Sequence, residues 1–296
     1  WLSVYYFRIN RYYYTNFVGA LLNFMEKEKP IGVFDSGIGG LTVVKRLSSV
    51  LPRESIVYFG DTARVPYGSK SNATVIDYSI QDTNFLLKKN VKAVVVACNT
   101  ASSIAIPELR KKFDVPVIGV ILPGADMAYK ETRNGRIGVI GTRATIANKA
   151  YSNAIKEIDN SIEIFEKACP LFVPVAEEGW IHHRATYEIA EEYLKELREK
   201  DIDTLVLGCT HYPILEDVIQ EVIGKDVKLI DSGIATAEVV KNEINRIGLE
   251  TNSTVPGNLE MYVSDIPTTF KQVAELFLGK KIDEVVKVEI EELVKK

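Results

Sequence analysis

The sequence predicts an α/β protein made of two similar α/β domains with mainly parallel sheets, related by a pseudo-two-fold. Three observations predict it. From Pro30 onward, short apolar runs alternate with amphipathic helical patterns, as in strand–helix–strand units. Most runs are β-branched and lack polar alternation, as strands buried on both faces do. The chain also repeats itself. Ile31-Gly32-Val33 opens a run and Cys98 closes another 67 residues later; Ile137-Gly138-Val139 opens a run and Cys209 closes another 72 residues later. Plain recurrence of apolar strands ending in small residues is the competing explanation of that repeat.

Taken in order, the first element is the unusual one. Residues 1–24 hold nine of the 27 aromatic residues, with Arg8 and Arg11 and no acid; the remaining 272 residues carry a net charge of -6. The apolar run Phe17–Phe24 imitates part of a secretory signal, but Met25-Glu26-Lys27-Glu28-Lys29 follows where small residues would mark cleavage. It is also too short for a membrane span, which needs about 20 apolar residues. Trp1 is no ordinary translation start, so residues 1–24 read as an upstream, disordered or artefactual extension ahead of Met25, with an accessory arm as the alternative.

The strand candidates then follow at Ile31–Phe34, Ile56–Phe59, Ala93–Ala97, Val117–Val120, Ile137–Ile140, Ile162–Phe165, Thr204–Leu207 and Val227–Ile230. Ile189, Tyr193 and Leu197 recur every four residues with Glu191, Glu192, Lys195 and Glu196 facing away, an amphipathic helix. Beyond these come a helix near Ala235–Ile247, a strand at Leu259–Val263 and a helix at Thr269–Leu278, more than one half requires. We therefore assign residues 25–120 plus 233–296 to the first domain and 121–232 to the second. The charged run Lys281–Lys296 reads as a solvated face.

Composition bounds the function. With 46% hydrophobic and 26% charged residues the chain is long enough to bury a core, which excludes a disordered protein or a disulfide scaffold. A net charge of -4 argues against a nucleic-acid partner. The three cysteines, Cys98, Cys169 and Cys209, are too few and too odd for a disulfide framework and fit a reducing cytosol.

Ligands of open parallel sheets bind outside the carboxyl ends of the strands. Four polar clusters fall there: 35–40, 60–69, 98–103 and 208–213. Gly37, Gly39 and Gly40 fit neither a dinucleotide fingerprint nor a P-loop. They expose backbone N–H groups suited to a carboxylate, or simply make a turn capped by Ser36. Cys98 and Cys209 each stand where a strand gives way to a helix N-terminus, which favours the thiolate. Singly, each also fits a small buried hydrophobe. As a pair on facing halves, two thiols would flank one cleft, and acid–base groups on opposite sides of one carbon are what racemisation requires. No lysine is marked for a Schiff base, so carbanion stabilisation falls to donors such as Ser36, Asn99, Thr100 and Thr210. His211, two residues after Cys209, could tune that thiol. Cys-x-His alone does not make a zinc site, and His182 and His183 read as surface residues. Cys169 reads as structural.

Together the segments 32–40, 58–68, 97–102, 169–174 and 208–213 resemble the cofactor-independent glutamate racemases of the aspartate/glutamate racemase superfamily, in the same order along the chain. The resemblance begins near Pro30, and residues 1–24 match nothing in it. It implies interconversion of L- and D-glutamate without cofactor or metal, with the active site in the cleft between the two halves. It further implies a homodimer in the bacterial cytoplasm, away from membrane and nucleic acid, supplying D-glutamate for peptidoglycan. By the same resemblance Cys98 would act on the D-isomer and Cys209 on the L-isomer, assisted by Asp35 and His211 respectively. Glu177, with Glu178 close behind, would be an assisting carboxylate. Asp35, Ser36, Tyr67, Gly68, Asn99, Thr100, Thr210 and His211 would bind substrate. Arg64 is left out as a residue that holds its loop together. A racemase for another substrate such as aspartate, or a non-catalytic bilobed binding protein, are the competing functions.

Overall fold

The computed structural model describes residues 25–294, and the expectations for residues 1–24 lie outside it. Ten strands are present among the described residues: β1 (Ile31–Asp35), β2 (Ile56–Gly60), β3 (Ala93–Val96), β4 (Val117–Gly119), β5 (Arg136–Gly141), β6 (Glu163–Ala168), β7 (Thr204–Gly208), β8 (Lys228–Asp231), β9 (Leu259–Val263) and β10 (Val286–Lys287). They form two sheets, ordered β10-β9-β2-β1-β3-β4 and β6-β5-β7-β8. Every pairing is parallel.

The internal repeat has a topological basis. Without β9 and β10, the first sheet reads β2-β1-β3-β4, the same order as β6-β5-β7-β8. Thus β1 corresponds to β5, and β3 to β7. In each sheet the order reverses between two central strands, which opens a crevice at their carboxyl ends. Cys98 follows β3 and Cys209 follows β7, so each thiol stands at the equivalent crevice of its own sheet.

The central strands are buried along their whole length: β1, β2, β3 and β7 expose nothing appreciable, which explains their uninterrupted apolar character. β6 departs from that expectation. It starts at Glu163, forms the edge of its sheet and is only half-buried, so Glu163, Glu166 and Lys167 are tolerated in it. The predicted amphipathic helix spans Arg184–Arg198, and its fully buried stripe is Thr186, Ala190, Leu194 and Leu197. Ile189 and Tyr193 pack at the edge of that stripe, half-buried.

The chain returns to the first sheet as expected, because β9 pairs with β2 over its whole length. The final run differs from a purely solvated face. β10 extends the sheet beside β9, and Ile282, Val288 and Leu293 are buried. Alternating charges there leave enough apolar positions to close the sheet edge.

The helix Ser232–Arg246 packs against both the helix Leu41–Val50 and the helix Ile121–Glu131, and so joins the two sheets' layers. Asp231 caps it by accepting the Gly233 N–H at 2.7 Å and also pairs with Arg46 Nε of the helix Leu41–Val50 at 2.9 Å. One continuous apolar cluster runs from Val33 and Leu41 to Leu207 and Phe277. The two crevices are therefore held by a shared core.

Candidate active site

The loop after β1 is organised by its own carboxylate. Asp35 Oδ2 accepts the Gly37 N–H at 3.0 Å. The anion-binding character expected of the glycine loop is thus partly satisfied from within. Tyr58 braces the same loop by donating to the Gly37 carbonyl at 2.9 Å. The helix that follows starts at Leu41 with no side-chain cap, so Ser36 is not a cap. Its hydroxyl instead accepts from the Cys98 thiol at 3.5 Å. Asp35 Oδ1 is buried without a partner. Burial raises the Asp35 pKa, against the lowering influence of His211 and the loop N–H groups.

Cys98 stands at the N-terminus of the helix Asn99–Ile104, where its sulfur accepts the Ala101 N–H at 3.5 Å. That position was expected to favour the thiolate. It does not: burial, reinforced by the neighbouring charge of Asp35, pushes the Cys98 pKa up to about 12. The thiol form is therefore the resting one, since loss of solvent outweighs the Ala101 N–H at the helix N-terminus and the hydrogen bond with Ser36.

Cys209 has different surroundings. A turn and the 3-10 helix Tyr212–Leu215 follow it, and the α-helix begins only at Glu216, so the expected helix N-terminus is absent at this cysteine. Its partner is a side chain. His211 Nδ1 lies 3.8 Å from the Cys209 sulfur, and His211 Nε2 lies 2.8 Å from Glu177 Oε1. Phe277 covers the imidazole edge-on at 5.2 Å between ring centroids. Burial opposes a charged imidazole, but the hydrogen bonds to Cys209 and Glu177 outweigh it and push the His211 pKa up to about 10. Glu177, the last residue of the helix Phe172–Glu177, is the carboxylate that reaches His211, whereas Glu178 is the C-cap.

This linkage has a measurable sign. The folded pKa of His211 lies above its ordinary 6.5, so its bonds stabilise the fold fully below about 6.5 and lose that effect as pH rises through about 10. Glu177→Gln removes one of the two partners. The His211 ring, followed by NMR, is expected to titrate clearly below its wild-type position in this variant; an unchanged titration would mean that Glu177 does not act on it.

The remaining predicted residues gather around the same place with distinct roles for their atoms. Thr42 donates to the Thr210 carbonyl at 2.9 Å, and the Thr210 hydroxyl abuts Gly39. Thr100 Oγ1 is 3.0 Å from Thr142 Oγ1, and Thr142 also lies against Gly68. Tyr67 is different. Its hydroxyl points into a buried cluster, 2.5 Å from Asp61 Oδ2 and 2.9 Å from Asp82 Oδ2. Arg64 closes that cluster on both carboxylates, at 2.6 and 3.0 Å, and stacks on Tyr78. Arg64 thus holds the loop, and the Tyr67 phenol is anchored away from the cleft. His182 and His183 are exposed, with His183 capping the helix Arg184–Arg198. Cys169 is fully buried near the Lys167 carbonyl.

Sequence reasoning missed Thr142 and Tyr151. Thr142 follows β5 as Ser36 follows β1, so the repeat itself could have pointed to it. Tyr151 donates to Asn99 Oδ1 at 2.7 Å, a pairing no local pattern encodes. Both thiols are buried, each 5% exposed. A cavity of about 1250 Å³ lined by Ile106, Arg110, Leu122 and Arg246 lies elsewhere and contains neither thiol. Among the described residues no helix is long and apolar enough to cross a membrane, and no group of three or more His, Cys, Asp or Glu could hold a metal ion.

Comparison with known proteins identifies the family. A profile of the Asp/Glu/Hydantoin racemase family matches residues 31–240. The chain is 50% identical over 263 residues to a glutamate racemase of Geobacter metallireducens, covering 89% of this chain and 97% of that one. Among solved structures it is similar to the glutamate racemase of Francisella tularensis in complex with D-glutamate, with a TM-score of 0.84 and 40% identity over 89% of this chain and 98% of the other. A glutamate racemase isoform of Bacillus anthracis superposes with a TM-score of 0.86 and 38% identity, covering 89% and 98% of the two chains. Matched over most of its described length, with its two thiols at equivalent strand ends, the chain belongs to the Asp/Glu/Hydantoin racemase family.

Proposed function

We propose that the chain interconverts L- and D-glutamate by proton transfer between two thiols, with no cofactor. The observation that carries this reading is the pair of cysteines at equivalent ends of two sheets, each with its own acid–base neighbour: Asp35 for Cys98, and His211 with Glu177 for Cys209. One sulfur, as thiolate, takes the α-proton. The electron pair moves into the α-carboxylate as an enediolate-like carbanion. The opposite thiol delivers its proton to the other face, and the two sulfurs exchange protonation states. Cys98, a thiol at rest, is ready as the acid when Cys209 serves as base; Cys209 would then act on the L-isomer and Cys98 on the D-isomer.

The substrate carboxylates are acceptors only, so the cleft must supply donors. Ser36, Asn99, Thr100, Thr210 and the backbone at Tyr67-Gly68 fill that role, while Asp35 and His211 serve both binding and proton transfer. Local donors matter because the chain as a whole is acidic. We take residues 25–120 plus 233–296 as one domain and residues 121–232 as the other, with the cleft between; the two separate sheets support that division. The reading extends to a homodimer in the bacterial cytoplasm that supplies D-glutamate for peptidoglycan.

The test is a side-by-side rate measurement on L-glutamate and L-aspartate with no added cofactor. We expect glutamate to be favoured by about 100-fold, within the range by which a site discriminates one methylene, the difference between the two substrates. A faster rate on aspartate, or dependence on added pyridoxal phosphate, would overturn it.

A further inference from the structure

We infer that Tyr151 is a positioning residue that fixes the side-chain amide of Asn99 so that its NH2 group faces the substrate carboxylate. The inference rests on the proposed glutamate reaction in this cleft. Asn99 is 2% exposed and sits at the first turn after Cys98. Its Oδ1 accepts the Tyr151 hydroxyl at 2.7 Å, while its Nδ2 is buried with no partner. A buried donor left unpaired is costly unless an acceptor arrives to fill it. An acceptor-only ligand group, a carboxylate, matches that need and matches the proposed substrate.

The orientation matters because an asparagine amide can turn over. With Nδ2 inward the cleft offers two N–H donors; with Oδ1 inward it offers an acceptor that repels a carboxylate. A hydroxyl that donates to Oδ1 selects the first state. Tyr151 is well placed to hold it. The ring is 1% exposed in the helix Ala150–Ile158, wedged beside Gly124, Gly208 and Ser232. Burial raises Tyr151's pKa and outweighs the hydrogen bond with Ser232 that favours the ionised form, so the phenol keeps its proton and remains a donor. Asn99 belongs to the segment after β3 and Tyr151 to a helix between β5 and β6. The bond therefore also ties one half's substrate donor to the other half's frame.

Tyr151→Phe removes one hydroxyl and little else. We expect it to raise KM for both glutamate enantiomers roughly tenfold, the loss of one oriented hydrogen bond to a charged group. We expect kcat to change less than about threefold, because neither sulfur nor its acid–base neighbour is touched. On an Asn99→Ala background the same substitution should have no further effect, since there is no amide left to orient. Wild-type-like thermal unfolding of Tyr151→Phe would accompany the KM effect. An unchanged KM, or effects that simply add in the double variant, would overturn the positioning role. If Asn99→Ala itself left KM unchanged, Asn99 would not be a substrate donor, and the reading on which the inference rests would fail at that residue instead.

Discussion

Cys98→Ser and Cys209→Ser are each expected to lower glutamate racemisation by about 1000-fold or more, the range that a positioned general acid or base contributes. A serine hydroxyl at either position fits the space but does not ionise at working pH, so one face of the α-carbon loses its proton donor and acceptor. The two losses should be comparable although the surroundings differ. Cys98 is buried beside Asp35 with a pKa of about 12, and Cys209 lies 3.8 Å from an imidazole that Glu177 holds. The proposed reaction uses both sulfurs in every turnover, so the weaker arm cannot be spared. Cys169→Ser is the control. Its sulfur faces the Lys167 carbonyl at 3.6 Å rather than the cleft, and a hydroxyl there finds the same acceptor. Racemisation measured by circular dichroism in both directions decides the matter. Near wild-type rates in both cleft variants would remove the two-thiol mechanism.

Gly39→Ala is expected to lower kcat by about 100-fold while the protein still folds. The position requires glycine for space. A Cβ at residue 39 would stand 2.5 Å from His211 Nδ1 and closer still to the Thr210 hydroxyl. Neither neighbour can retreat freely. His211 is fixed between Glu177 and Phe277, and Thr210 is tied through its carbonyl to Thr42. The added methyl must therefore push the imidazole off the Cys209 sulfur or drive the glycine loop, with Asp35 and Ser36, away from the cleft. Overpacking of this kind costs about 1–3 kcal/mol of stability. The kinetic loss should be larger, since misplacing reacting groups by about 1 Å suffices for such a factor. Near wild-type kcat in this variant would show that the loop and His211 do not need their close approach.

Much of this arrangement is legible in the sequence, and the reason is physical. Strands buried on both faces advertise themselves as apolar runs, so β1, β3, β5 and β7 are readable, as is the repeat that sets Cys98 against Cys209. β6 is less readable, because an edge strand carries polar residues without penalty and so gives a weaker signal. Which glutamate reaches His211 is decided by a single step along a helix, about 100° of rotation, which places Glu177 and not Glu178 toward the imidazole. What stays illegible is tertiary. A helix N-terminus suggests a thiolate at Cys98, but only the fold reveals the desolvation and the Asp35 charge that reverse it. The Tyr67 side chain looks like a cleft residue until Asp61, Asp82 and Arg64 are seen to claim its hydroxyl. Tyr151 reaches Asn99 across 52 positions in sequence, and nothing local in either segment announces the pairing.

In the proposed reaction two separate thiols serve opposite faces of the α-carbon, and solvent deuterium distinguishes this from a single base. Each glutamate enantiomer is incubated with the enzyme in heavy water and stopped early, and the α-hydrogen of product and of recovered substrate is read by mass spectrometry after chiral separation. Two opposed thiols predict product that carries one solvent deuterium, with recovered substrate still protonated, in both directions and without added cofactor. Equal deuteration of substrate and product, or product that retains the original proton, would point to a single base and would contradict the account.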